Sequence, residues 1–426
     1  MRQFRNSSRT RDRVRRYAVG AAFIGCAVAA YASDPALAPL ELNEVAELAV
    51  QQQPLLTSFD AQARAAREAS VSSAQLPDPQ LFGGVRDLPV DTHEAYSLSD
   101  DSDTQLVIGV SQEFPRAAKR RLRAEQRERE ADRLDDERRL VALSIRRDAS
   151  FAWLDCWRAE SARQIAVDTL DAAQLQARAV AIELRSGSAQ QSEYVSALLN
   201  VERMRDAVAQ RNQESDTARF RLERWIGDAA RRPVSRPPEF PPVPATATLL
   251  ERLPSHPELA VLRQRINESR TSVDLAEAKG LPDWRVEFGY GYRRDYSDMV
   301  MLQVGMDLPL FTGKRQDRDI ASALAMGEAA AAQLEDGERR LESRALEAAR
   351  DIERIGQRLA AYDREIEPQS NLGIESATAA WRSGNGTLGQ VLDARRIRLD
   401  VLLARLDLQF DGAKRRVELD YLMGGE

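Results

Sequence analysis

The sequence is poor in the residues that build metal centres and disulfides. Among 426 residues there are two cysteines, Cys26 and Cys156, and two histidines, His93 and His256, which lie far apart. Metal sites cluster His, Cys or carboxylates at fixed spacing, so no metal is expected, and Met299 and Met301 read as strand residues. There is no Gly-rich phosphate loop, no H-E-x-x-H and no nucleophile elbow, so neither an enzyme nor a cofactor is indicated. The net charge of −6 is mild and gives no reason to expect nucleic acid. Positive charge is almost all arginine, the lysines being Lys119, Lys279, Lys314 and Lys414. Aromatics are only 6% against 30% charged residues, a balance of long helices and coiled coils.

Long apolar runs are also missing, with one exception. The basic stretch 1–16 is followed by "YAVGAAFIGCAVAAYA" (17–32), the n-region and h-region of a secretory signal, too short for a comfortable span. Ala30-Tyr31-Ala32 offers an A-x-A cleavage site, which makes 1–32 a signal peptide. "FIGC" (23–26) instead allows lipidation of Cys26. The mature chain is therefore expected to be exported with one secure cysteine, Cys156, and no intramolecular disulfide. Any contact with a membrane would be made through strands.

What is present is a chain written twice. A shift of 197 residues carries Arg185-Ser186-Gly187 onto Arg382-Ser383-Gly384, Leu222 onto Leu419 and Gly227 onto Gly424. Upstream, "LPDP" (76–79) recurs as "LPDW" (281–284), and "EFPRAAKR" (113–120) as "DLPLFTGKR" (307–315). Between the halves lies "RRPVSRPPEFPPVP" (231–244), whose six prolines exclude helix or central strand. The expected organisation is a first repeat over 33–227, a Pro-rich linker over 228–247 and a second repeat over 248–426.

In each half a helix of about 22 residues precedes two strands, then a tract of about 70 residues runs to Arg-Ser-Gly, and a helix of about 38 residues follows. Strands are expected at about 80–90, 104–114, 284–294 and 299–310. Trp284, Val286, Phe288, Tyr290 and Tyr292 alternate with Arg285, Glu287, Gly289, Gly291 and Arg293. Val300, Leu302, Val304 and Met306 alternate with Met301, Gln303, Gly305 and Asp307, and Leu106, Ile108 and Val110 with Val107, Gly109 and Ser111. An aromatic, aliphatic face opposite a polar one suits lipid outside and a lumen inside. It equally describes hairpins packed on a soluble core. Four strands cannot close a membrane barrel, so a barrel requires several copies.

The long tracts carry heptads. From Ile320 through Leu341, Ala345, Ala348, Ile352 and Leu359 to Ile366, apolar positions recur at alternating steps of four and three. Leu399, Leu403, Leu406, Phe410, Ala413 and Val417 continue the pattern in the last helix, and Val141, Ile145, Ala149, Ala152, Cys156 and Ala159 form its counterpart in the first half. Cys156 reads as a buried small residue rather than a reactive thiol. A 70-residue helix spans ~105 Å, and the two shorter helices stacked end to end nearly match it.

Together, the signal segment, the duplicated halves, the LPDP before a strand, "LPLFTGKR" between a strand and a long helix, and "GTLGQVLDA" (386–394) resemble the TolC-like outer-membrane efflux factors. The likeness covers nearly the whole mature chain. It implies a mainly α fold with a β-barrel portion, a homotrimer with a twelve-stranded barrel in outer-membrane lipid, and a helical tunnel extending into the periplasm. Its function would be a passive exit duct for small solutes or cations. The tips at Arg185, Ser186, Gly187 and Arg382, Ser383, Gly384 would dock a periplasmic adaptor, working with an inner-membrane RND-type transporter. Family members often place acidic residues one turn apart at the tip, where this chain has Gln390 and Asp393, with Glu193 and Ser196 at the duplicated positions. Asp393, Glu193 and Gln390 are thus gate candidates, against the reading of solvated surface charges. The compact length, LPDP and "SHPEL" (255–259) resemble the heavy-metal-cation branch. A periplasmic adaptor is the alternative, although an adaptor would carry one hairpin flanked by lipoyl-like and β-barrel segments.

Overall fold

The computed structural model describes residues 38–91 and 93–425. The signal segment, its cleavage site and Cys26 lie outside them. The first half runs through α1 (Leu42–Gln52), α2 (Pro54–Ala74), β1 (Gln80–Arg86), β2 (Gln105–Phe114), α3 (Ala117–Arg185) and α4 (Gln191–Ile226). The second repeats the order with α5 (Thr246–Arg252), α6 (Pro257–Ala278), β3 (Trp284–Tyr292), β4 (Met299–Met306), α7 (Gln316–Ala361), α8 (Glu367–Arg382) and α9 (Leu388–Leu422). At 1.5 Å per residue the 69-residue α3 is a rod of ~100 Å.

The four strands form one antiparallel sheet in the order β1-β2-β3-β4. Register locks the alternation across it: Phe82, Gly109, Gly289 and Met301 stand in one row, and Gly83, Ile108, Tyr290 and Val300 in the next. One face therefore collects Leu81, Ile108, Phe288, Val300 and Leu302, which are exposed by 54% or more. The other collects Gln80, Ser111, Glu287 and Gln303. The apolar face packs on no core of this chain, so the soluble-hairpin reading does not hold. On the polar face Gly109 and Gly289 leave room that Phe82 and Met301 fill.

Two strands are shorter than their sequence pattern. The strand expected over 80–90 stops at Arg86, because Asp87 takes φ +55° and turns the chain. The strand expected over 299–310 stops at Met306, ahead of Pro309, which has no N–H for a ladder. The 70-residue tract of the second half is also interrupted. A π-helical turn at Tyr362–Ile366 precedes Pro368, which lies in the first turn of α8. A proline ring clashes with the carbonyl four residues back, and a wider turn accommodates it.

The main core gathers where α1, α3, α4 and α9 meet. Trp153 is fully buried among Leu40, Val45, Leu222 and Ile226, and its Nε1–H donates to the Leu40 carbonyl at 2.9 Å. Cys156 is also fully buried there, and burial pushes its thiol pKa up. The Pro-rich segment is held against this core: Leu40 and Val234 form a parallel bridge, and Val234 and Phe240 pack on it. Along α3, Ala149, Ala152, Ala159, Ala162 and Ala166 are buried, which lets helix backbones approach closely. The seam of α7 is buried at Leu341, Ala345, Ala348 and Ile352, whereas Leu324 is 52% exposed.

Sheet and helices are joined by a clasp. Lys119, only 5% exposed, donates to the Leu281 carbonyl at 2.6 Å and pairs with the Asp283 carboxylate at 2.8 Å. The Arg116 N–H donates to the other Asp283 oxygen at 2.9 Å, and Arg116 Nε to the Pro282 carbonyl at 3.0 Å. The start of α3 is thereby bound to the segment entering β3. Replacing Asp283 with Ala strands the Lys119 ammonium without its counter-charge, a loss of about 3 kcal/mol. Thermal unfolding of the detergent-solubilised variant checks this.

A second clasp joins α6 to α9. His256, 1% exposed, accepts the Glu258 N–H at Nδ1 (3.2 Å) and meets the Tyr421 carbonyl at Nε2 (3.2 Å). With Nδ1 accepting, Nε2 carries the proton and the neutral ring fits. Burial holds its pKa below the ordinary histidine value, outweighing the attraction of Glu258. An unfolded chain takes up a proton near pH ~6.5 while the folded one resists it. The contribution is therefore complete above that pH and declines as pH falls, by up to about 1.4 kcal/mol per unit. Melting temperature is expected to drop between pH 7.5 and 5.5, and to drop less in His256→Asn.

Candidate functional site

The two Arg-Ser-Gly breaks are the ends of long helices. Gly187 has φ +79° and Gly384 φ +74°, a region that favours glycine. At the first break the Gly187 N–H donates to the Leu184 carbonyl (3.1 Å) and Ser188 N–H to Glu183 (2.8 Å). At the second, Gly384 donates to Trp381 (3.0 Å) and Asn385 to Ala380 (2.9 Å). Both are Schellman closures, which satisfy the orphan carbonyls of a helix end. Arg185, Ser186, Gly187, Arg382, Ser383 and Gly384 are all exposed.

The helices that leave the tips start with matched capping boxes. In α4 the Glu193 carboxylate accepts the Gln190 N–H at 2.9 Å, while the Gln190 side chain accepts in return. In α9 Gln390 Oε1 accepts the Thr387 N–H at 3.0 Å, and Thr387 Oγ1 the Gln390 N–H at 3.4 Å. Glu193 and Gln390 are thus equivalent residues doing equivalent structural work. Their signal was present in the sequence as Q-x-x-E and T-x-x-Q just after each glycine. Asp393, one turn further along, is exposed and has no hydrogen bond or ion pair among the described residues.

The tips lie side by side. Leu388, 2% exposed, packs with Ala173, Ala177 and Val180 of α3 and Ala197 and Val201 of α4, with Trp381 against the cluster. Beside it is a cavity of about 780 Å³ lined by Glu193, Ser196, Asp393 and Asp400 together with Arg203, Arg395 and Arg396. The fold thus brings Glu193 and Asp393 to one cavity, whereas Gln390 is taken up by its cap. Three arginines share the cavity with the carboxylates, a neighbourhood that tip motifs alone do not reveal. Arg395 is half-buried, which lowers its pKa, and its nearest polar partner is Gln176 Oε1 at 3.5 Å.

Among the described residues no group of three or more His, Cys, Asp or Glu is placed to hold a metal ion. His93 is exposed on the β1–β2 loop and His256 is a structural cap. No helix of the described residues is long and apolar enough to cross a membrane.

A four-stranded sheet with an apolar outer face, carried on paired helices of ~100 Å that end in glycine-closed tips, defines an outer-membrane channel subunit. Residues 249–425, the second repeat, match the model of the outer membrane efflux protein family. The protein is an efflux channel component of the outer membrane, with a periplasmic extension. Among solved structures, the chain superposes on CusC with a TM-score of 0.76 at 16% identity, covering 92% of this chain and 93% of that one. The CmeC outer membrane channel of Campylobacter jejuni gives 0.74 at 15% identity, covering 90% and 85%. VceC of Vibrio cholerae gives 0.70 at 18%, covering 90% and 96%. These likenesses show the fold over about nine-tenths of the chain, both repeats included. No curated protein gives a significant sequence match.

The tip caps generate a local expectation. Thr387→Ala removes one cap oxygen and costs about 1 kcal/mol. Hydrogen exchange at the amides of 388–391 should accelerate, with little change in the core around Trp153.

Proposed function

We propose that the protein is a passive, homotrimeric exit duct in which each protomer gives four strands to a twelve-stranded barrel and its helices to a periplasmic tunnel. The observation that carries this reading is the largely exposed apolar face of an open sheet, while no helix of the described residues is long and apolar enough to cross a membrane. Lipid covers that face, and further copies cover the two sheet edges. The exposed part of the α7 seam at Leu324 supports the same conclusion, since helices of neighbouring copies would complete it.

At the far end, the exposed Arg-Ser-Gly tips are the surface offered to a periplasmic adaptor and, through it, to an inner-membrane transporter that supplies the energy. Asp393, without a partner among the described residues, is the residue best placed to act on passing ions. In a trimer it would form a ring of three carboxylates. Glu193 contributes a second ring while also serving as a cap. Gln390 is reassigned to capping alone. The cargo consistent with this lining is small solutes or cations, and nothing in the described residues narrows it to a metal.

The experiment is conductance of the purified trimer in a planar bilayer. Asp393→Ala is expected to reduce cation preference several-fold, and Asp393→Ala with Glu193→Gln to reduce it further. Unchanged selectivity in the double variant would remove the acidic-ring reading. A soluble monomer in the periplasmic fraction would remove the duct itself.

A further inference from the structure

The clasp between Lys119 and Asp283 is built from two motifs that each half of the chain carries. Leu76-Pro77-Asp78 matches Leu281-Pro282-Asp283, and the segment from Asp307 to Lys314 matches that from Glu113 to Lys119. Within the protomer only one pairing is made, between the motif after β2 and the motif before β3, the two central strands. The unused motifs lie at the two outer strands: Asp78 precedes β1 and Lys314 follows β4. Both side chains are exposed, and neither meets a hydrogen-bond or ion-pair partner among the described residues. One copy of the motif pair is thus satisfied while the other is split between opposite edges.

We infer that β4 of one protomer pairs antiparallel with β1 of a second copy in the register β2 and β3 already show, and that Lys314 clasps Asp78 of the partner subunit. This rests on the proposed assembly of several copies and specifies how they meet. The central row Gly109–Gly289 maps onto Gln303 opposite Gly84 of the partner subunit, and Ser111–Glu287 onto Gly305 opposite Phe82 of the partner subunit. The one-residue insertion in the second motif lies beyond Pro309. It lengthens the clasp loop without altering strand register.

Two independent features agree with this register. It keeps both faces unmixed: Leu302 and Met306 of β4 fall on the same side as Val85 and Leu81 of β1, all of them exposed and apolar in the single chain. A slip of one residue would put these side chains among Gln80, Gly84 and Gln303. The two edge strands also match in length, seven residues against eight. Each backbone group left unpaired in lipid costs several kcal/mol, so the edges need such a partner.

The test uses the full chain, extracted in detergent. A cysteine at Gly84 meets open space, so the variant carrying both Gly84→Cys and Gln303→Cys should oxidise to a covalent, reducible oligomer. Gly84→Cys with Gly305→Cys, displaced by two residues, should remain unlinked. The geometry of a disulfide, with Cβ atoms about 4 Å apart, makes the two cases distinct. In parallel, Lys314→Asp should shorten the survival of the unboiled oligomer on heating about tenfold, and Asp78→Lys added to it should restore most of that loss. The displaced pair linking instead, or neither pair linking in a chain that still runs as an oligomer, overturns the register and leaves the channel reading standing. Failure of the charge exchange to rescue overturns the clasp. An unmodified chain that runs only as a monomer overturns both the inference and the trimeric duct.

Discussion

A strand edge cannot stay unpaired in hydrocarbon, and most of this structure follows from that constraint. Four strands are too few to close on themselves, so the chain ends its sheet with two open edges. The two halves of the duplication supply one hairpin each, and they join at β2 and β3 over nine paired residues. The protomer is then a barrel fragment whose outer edges resemble its own central seam. In the proposed assembly, duplication within the chain and repetition between chains would be the same geometric operation. The Lys119–Asp283 clasp fixes where sheet gives way to helix at that seam.

The helical part solves a different problem, which is to keep rods of ~100 Å side by side without a large globular core. Small side chains do this along most of the length: alanines and Cys156 line α3 where other helices cross it. The largest clusters of larger residues form where short helices and the Pro-rich segment join, around Trp153 and around Leu341. Those two clusters act as a belt, and His256 ties α6 to α9 within it. Beyond the belt the helices continue to the tips, where Leu388 and Trp381 restore a small apolar contact between the hairpins. A Schellman closure and a capping box at each tip satisfy the backbone groups that two helix ends expose, so the turns can be short.

At the tips, the duplicated positions carry different side chains. Glu193 and Gln390 are one position in the duplication, and both close a cap. Asp393 has no cap to close and no partner among the described residues, and it lines the cavity. Three arginines line the same cavity. Glu193, Asp393 and Asp400 thus share the cavity with three arginines, and the assembly of several copies would decide the field along the axis.

The sequence by itself determined the duplication, the kind and order of the elements, the faces of β2, β3 and β4, and the glycines at which helices end. Each of these is local: period-2 alternation, heptad spacing, and residues suited to positive φ. It also determined the capping boxes, whose four-residue pattern begins three residues after each glycine. Only the tertiary structure decided what depends on contacts distant along the chain. It set β2 beside β3, joined Lys119 to Asp283 across 164 residues, buried His256 under Tyr421, and gathered Arg203, Arg395 and Arg396 around Asp393. It stopped β1 at Asp87 and placed a π-helical turn ahead of Pro368, where backbone strain prevails over hydrophobic pattern. Pattern specifies which face is apolar. Packing alone specifies what that face meets, and here it leaves the outer face of the sheet uncovered for the membrane.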